Sequence, residues 1–325
     1  MQISGKKIVY VKLKYDLFFR KGETDAAISV LTQCSLALSR SLQGSQCSAD
    51  VILPHMAESY TLLAKWLQQS LESASPLKNI STLKELANAG AVDQDHAALV
   101  SKLMERASQF CPSSSEAWLA WGQYQYSGAQ QQTHMKSLLT GVLPAEDIAR
   151  LSDSFDELSG DVEKVLTSDS VLSKKPTVLK RLVSEVQSRQ VSAVESYSGS
   201  LKAFFQYLNL RGSSSDQSHH RDTVDVTLRI LCILSRHLNR KLDSTVDGEF
   251  IRTLCDATER TPSGAWRSIT PQLLSLMQHG RPWLRTLVSN LLGRLASEWP
   301  QLLVFPVAVG AAGLAWSWST DPISK

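Results

Sequence analysis

Hydrophobic positions between Thr261 and Val309 recur with a helical period three times in succession. In Ala265 to His279 the apolar residues Trp266, Ile269, Leu273, Leu274, Leu276 and Met277 fall three and four apart, which predicts a helix with one buried stripe. Thr261-Pro262-Ser263-Gly264 supplies its start, since Pro is tolerated in a first turn and Ser caps well. Gly280 is expected to end it by reaching the left-handed conformation. Pro282 opens a second helix with the stripe Trp283, Leu284, Leu287, Val288, Leu291, Leu292 and Leu295, and Trp299-Pro300 breaks it. A third runs from Pro300 toward Val309. Amphipathic helices of about fifteen residues on short turns, each needing a neighbour to cover its stripe, are the unit of a helical repeat array.

The chain upstream repeats this material. Lys6 to Arg20 mixes strand-like and helix-like spacing and is assigned to helix by its surroundings. After the turn Lys21 to Thr24, Asp25 to Leu42 places Ala26, Ala27, Val30, Leu31, Cys34, Leu36 and Leu38 on one face. Small residues let paired helices approach closely, so this is a tetratricopeptide-like pattern. Gly44 to Asp50 is a polar loop, Pro54 to Ala74 a long helix stopped by Ser75-Pro76, Asn79 to Ala91 a short helix and Gln94 to Cys111 another. Pro112 to Ser115 caps a helix that puts Trp118, Trp121 and Tyr124 or Gln125 at helical spacing, and its aromatic positions are expected to pack between helices and not to form a ligand cage. Gln130 to Ser170 is Ser-rich and acidic, with irregular structure expected.

Lys175-Pro176 starts a run of more than thirty residues, through Val178, Leu179, Leu182, Val183, Val186, Val191, Val194, Tyr197, Leu201, Phe204, Phe205 and Leu208. It is either one long bent helix or a pair broken near Ser198-Gly199. Arg211 to His220 is polar and aperiodic, which reads as a loop. Asp222 to Leu242 is the next helix, with Val224, Val226, Leu228, Ile230, Leu231, Ile233, Leu234 and Leu238 apolar, and Phe250, Ile251 and Leu254 mark a shorter one. The expected class is therefore all-α, a solenoid of antiparallel helix pairs. Residues 1–210 are tetratricopeptide-like repeats, 211–221 a linker, 222–315 HEAT-like repeats and 316–325 a tail.

Size and charge narrow the function classes. At 325 residues the chain exceeds the length of about 250 to 300 at which one core stops growing, which favours an elongated array or two domains. With 34 Lys+Arg against 31 Asp+Glu, and the basic residues scattered, there is no electrostatic case for nucleic acid as the main ligand. Cys34, Cys47, Cys111, Cys232 and Cys255 are odd in number and far apart, which suits reduced thiols in the cytosol, with the nucleus also open, and no disulfide framework. Lysines interrupt the apolar positions at the N-terminus, so no secretory signal is expected there. Leu302 to Trp318 is seventeen residues without charge, short of the roughly 20 that a membrane span needs. Pro306, Gly310 and Gly313 interrupt it. It reads as a helix made to be buried, with a frayed tail; cut from a larger protein, it would expose hydrophobic surface and limit solubility.

The C-terminal stretch resembles the closing part of the FAT region of the phosphatidylinositol 3-kinase-related protein kinases. There a Trp-x-x-x-x-Pro-Gln-Leu helix precedes a turn, an Arg-containing helix and a Pro-Gln-Leu-x-x-x-Pro helix. The matching residues are Trp266, Pro271, Gln272, Leu273, Arg285, Leu291, Leu292, Pro300, Gln301, Leu302 and Pro306. A looser match runs through Tyr197 to Leu210 and Asp222 to Leu234. The wording around Ala265-Trp266, Asn290-Leu291-Leu292 and Phe305 to Gly310 is most similar to the branch that acts in nonsense-mediated mRNA decay. FAT regions wrap around the kinase domain and receive regulatory subunits. The resemblance thus implies a non-catalytic scaffold whose partners are proteins, namely the parent's kinase domain and its regulatory subunits. The chain ends near Lys325 without that kinase domain, as a fragment, truncated product or splice form would.

The catalytic motifs in the chain do not rise above chance. Ser235-Arg236-His237-Leu238-Asn239-Arg240 is similar to that family's Asp-Arg-His-x-x-Asn loop, but Ser235 replaces the base and Arg240 the magnesium ligand. Val246-Asp247-Gly248 lacks the aromatic of Asp-Phe-Gly. Neither a GxGxxG nor a GxxxxGK phosphate loop occurs, and there is no Gly-x-Ser-x-Gly. His219-His220 has no further ligand nearby. Asp153, Asp156, Glu157, Asp161 and Glu163 read as a solvated helix face, or else as a surface for a basic peptide. No catalytic, cofactor-binding or metal residue is assigned, and no cofactor, small-molecule ligand or membrane is expected. Two further readings stay open: an enzyme whose site carries no known motif, and a free-standing tetratricopeptide-like adaptor, which charged residues on a concave face would favour.

Overall fold

The structure, a computed structural model, describes residues 24–43, 49–72, 80–87, 96–133, 176–211, 217–237 and 246–308. Among these every regular element is a helix and none is a strand. The chain divides into two compact units, Met1–Ser127 and Gly128–Lys325. The polar stretch 211–221 therefore lies within the second unit. The helix expected at Lys6 to Arg20 and the tail at 316–325 fall outside the described residues, as does the irregular stretch expected over Gln130 to Ser170 except for its first four residues, which continue a helix to Thr133.

In the first unit, α1 (Thr24–Gln43), α2 (Ala49–Glu72), α3 (Ile80–Ala87), α4 (His96–Phe110) and the start of α5 (Ser115–Thr133) follow the predicted order. Helix α1 buries Ala27, Ile28, Leu31, Thr32, Ser35 and Leu38, one stripe at helical spacing that includes two hydroxyl residues the apolar count passes over. Thr32 satisfies its hydroxyl by donating to the Ile28 carbonyl at 2.7 Å, as mid-helix Thr commonly does. Helix α2 starts five residues before Pro54, which leaves the proline inside the helix. One turn in, its missing N–H forfeits a single intrahelical bond.

Helix α2 lies centrally, packed on both α1 and α4, while α3 packs on α1 and α4. Each helix thus meets its sequence neighbour or the helix two places along. The short α3 is held by its end. Its Leu86 carbonyl, an orphan acceptor of the last turn, accepts from the Arg106 guanidinium and from the Tyr60 hydroxyl at 3.4 Å. The Phe110 ring fixes both donors, edge-on to Tyr60 with centroids 5.1 Å apart and 5.3 Å beneath the Arg106 guanidinium.

The second unit is built on α6 (Pro176–Arg211), 36 residues without interruption at Ser198-Gly199, about 54 Å at 1.5 Å per residue. Of the two options left open by the sequence, the single helix is the one formed. Leu182, Val186, Gln190, Ala193, Tyr197, Leu201, Phe204 and Leu208 make its buried stripe, whereas Val191 is 58% exposed. Helix α7 (Gln217–Cys232) begins five residues before the predicted Asp222, so Gln217 to His220 is helix and not loop. It passes into a π turn at Ile233–His237. Its buried face joins Thr223, Val226, Thr227 and Ile230 to Leu231, Ile233 and Leu234, and Leu228 is left exposed.

Helix α8 (Val246–Arg260) is followed by a 3-10 segment, Ser263–Ile269, then α9 (Thr270–Leu276), α10 (Pro282–Glu298) and a last helix, α11, at 301–308. The single helix expected from Ala265 to His279 is therefore two. Pro271 cannot donate to the Arg267 carbonyl and its ring would crowd it, so the chain restarts, with Pro271 in the first turn of α9. The buried stripe continues across this break through Trp266, Ile269 and Leu273, and Met277, at the end of α9, is 38% exposed. Gly280 has no left-handed backbone; a turn through Met277 and His279, whose N–H groups bond Leu274 and Leu276 carbonyls at 3.2 and 3.0 Å, ends α9 instead. Helix α10 follows its sequence pattern, with Leu284, Leu287, Val288, Leu291, Leu292 and Leu295 buried. In α11 Leu303 is buried, but Val304, Phe305 and Val307 are 66, 74 and 54% exposed, which over the described residues is the exposed hydrophobic surface expected for this stretch and not a covered last helix.

Phe204→Ala should destabilise the second unit by about 3–5 kcal/mol, and Val191→Ser should change it by less than about 0.5 kcal/mol; urea unfolding followed by circular dichroism measures both.

In the first unit, burial raises the Tyr60 phenol above its ordinary 10.0, with the Arg106 charge partly opposing. Between pH 10 and that raised value the unfolded chain has released the proton and the folded chain has not, so stability is full below pH 10 and falls above it. Tyr60→Phe should make the alkaline loss shallower. Urea midpoints on either side of pH 10 test this; Tyr207 and Cys255 in the second unit, also raised by burial, contribute to the loss that remains.

Candidate functional site

The densest polar arrangement in the second unit is the corner where α8 ends. The last carbonyls of a helix have no intrahelical donor. Here Arg294, reaching from α10, supplies them: its two terminal nitrogens donate to the Thr258 carbonyl at 3.0 Å and to the Thr261 carbonyl. A planar guanidinium with donors in a fixed fork suits two adjacent acceptors, which the point charge of Lys does not. The buried Thr261 hydroxyl donates to the Thr258 carbonyl at 2.6 Å and accepts from the Trp266 indole N–H at 2.9 Å. Trp266 is fully buried, in the 3-10 segment that packs between α7 and α10. The Ser263 hydroxyl donates to the Glu298 carboxylate, and Arg267 lies over the Trp299 ring at 5.8 Å.

At the other end of α10, Arg285 donates to the His279 carbonyl at 2.9 Å. Arginines near both ends of one helix thus tie down the turns that flank the 3-10 segment and α9. Beside the corner is a shallow crevice lined by Cys255, Glu259, Leu287, Asn290 and Arg294. Burial, and then the Glu259 and Asp256 carboxylates, push the Cys255 thiol up from 9.0. It is a neutral thiol at pH 7, and the thiolate is the nucleophilic form.

The sequence candidates fall elsewhere. Ser235 sits in the π turn and donates to the Leu231 carbonyl at 2.7 Å, an internal back-bond rather than an orientation toward a substrate. Leu238 to Arg240 lie outside the described residues, as do Asp153, Asp156, Glu157, Asp161 and Glu163. Val246-Asp247-Gly248 opens α8. His220 is on the first turn of α7, its Nε2 3.4 Å from the Ser268 hydroxyl. Among the described residues no cluster of three or more His, Cys, Asp or Glu could hold a metal ion.

In the first unit Trp118 and Trp121 are buried, their rings tilted at 47° with centroids 5.6 Å apart. The Trp118 indole donates to the Pro112 carbonyl at 2.9 Å. The Tyr124 hydroxyl donates to the Ala97 carbonyl at 2.8 Å, and Gln125 donates to Ser101 at 2.9 Å. Tyr124 and Gln125 fasten α5 to α4, whereas Trp118 bonds the turn ahead of its own helix and stacks on Trp121 within it.

The FAT-like positions divide in two. Trp266, Leu273, Leu291 and Leu292 are buried and Arg285 secures a turn. Pro271, Gln272, Pro300, Gln301 and Pro306 are exposed. Arg294, Thr261 and the Ser263–Glu298 pair do not stand out in the sequence. An apolar count passes over them, and the one available signal is an Arg facing inward, one residue before the buried Leu295.

No family model matches the chain. It is 28% identical over 180 residues, 51% of its length, to the serine/threonine-protein kinase Smg1 of Drosophila melanogaster. It is 34% identical over 107 residues, 33% of its length, to serine/threonine-protein kinase SMG1 of Danio rerio. It is 25% identical over 234 residues, 67% of its length, to serine/threonine-protein kinase smg-1 of Caenorhabditis briggsae. The matched stretches make up 5, 3 and 10% of those kinases, so the chain spans a small part of each. It is related to a region of the Smg-type, phosphatidylinositol 3-kinase-related kinases.

Arg294→Met should destabilise the second unit by about 1–3 kcal/mol, because the Thr261 carbonyl loses a charged donor while the Thr258 carbonyl keeps the Thr261 hydroxyl, and Arg294→Lys should recover less than half of that. Arg229→Ala, which removes a half-buried pair with Asp225 one helical turn away at 2.9 Å, should cost about 1 kcal/mol or less. Urea unfolding of the three variants measures the contrast.

Proposed function

We propose that this chain is a non-catalytic helical scaffold region of an Smg-type serine/threonine kinase, the end of its FAT region, acting in nonsense-mediated mRNA decay. Its role is to hold the kinase domain in shape and to receive regulatory subunits. The similarity to three Smg1 kinases, in one case over 67% of the chain, is the observation that carries this reading. The polar chemistry supports it. Arg294, Arg285, Arg106, Tyr60 and Tyr124 each donate to a backbone carbonyl of a neighbouring helix or turn. A catalytic group instead needs a hydrogen-bonding partner on the substrate.

The helices are read as stacked antiparallel pairs, tetratricopeptide-like over residues 1–210 and HEAT-like over 222–315. In the first unit the packing of α1 on α3 and of α2 on α4 supports this, because helices two places apart meet when pairs stack. The partners are proteins, and nucleic acid, membrane and small molecules are not ligands of this region. Among the described residues no helix is long and apolar enough to cross a membrane. The place of action is the cytoplasm, with the nucleus as a second compartment.

Affinity capture with the full chain from cell lysate at moderate salt, followed by mass spectrometry, should recover an Smg-type kinase or its accessory subunits. Recovery of a different phosphatidylinositol 3-kinase-related kinase would move the assignment to another family member. Recovery of peptide-binding clients without any kinase would favour a free-standing adaptor.

A further inference from the structure

We draw no further inference here: the strongest candidate, the exposed apolar face of Val304, Phe305 and Val307 on the helix at 301–308, carries nothing because nothing in the structure shows what covers it.

Discussion

The arginine fork at the end of α8 is the constraint on which the second unit depends. A helix cannot simply stop in a packed interior, since its final carbonyls lose water without gaining donors. Arg294 resolves this from a different helix, bonding the Thr258 and Thr261 carbonyls at once. The position of α10 against α8 is thereby set by two directed bonds as well as by the non-directional burial of Leu287 and Leu291. Thr261 then passes the constraint on: its hydroxyl binds the Trp266 indole, and Trp266 carries the 3-10 segment into the groove between α7 and α10.

The first unit solves the same problem with different residues. There the end of the eight-residue α3 has its Leu86 carbonyl met by Arg106 of α4 and Tyr60 of α2, and the Phe110 ring orders both. A helix of eight residues is too short to be stable by itself, so its existence rests on tertiary bonds of this kind. In both units a guanidinium from a later helix donates to the end of an earlier one, through two nitrogens in Arg294 and through one in Arg106. This ties segments far apart in sequence and favours mutual order among helices that individually have only a stripe to bury. It also leaves these arginines committed to structure.

What was legible in the sequence was whatever depends on period. Helix α10 could be read almost residue by residue, because its stripe is apolar and its ends are marked by Pro282 and Trp299-Pro300. The stripe of α6 from Leu182 to Leu208 was legible for the same reason. What failed was local geometry. The break before Pro271 follows from the missing N–H, yet the apolar spacing ran straight across it and hid it. The start of α7 at Gln217 was hidden by polar residues that happen to be helical. The corner itself was invisible, since Thr258, Thr261 and Arg294 count as polar in any periodic reading and their meaning appears only when residues 33 to 36 apart are brought together. Kinship was legible by another route. Trp266, Leu273, Leu291 and Leu292, which carried the FAT resemblance, are core positions, and the comparisons point to the same kinases.

The central claim is that one guanidinium holds α8, the 3-10 segment and α10 as a single cooperative body. Hydrogen–deuterium exchange of the full chain, with and without Arg294→Met, tests this most directly, because exchange protection reports which segments open together. The account predicts that the substitution lowers protection across Leu254 to Thr261, Trp266 to Leu273 and Leu287 to Leu295 by a common factor. Loss confined to the last turn of α8, with α10 and the Trp266 segment protected as before, would contradict it.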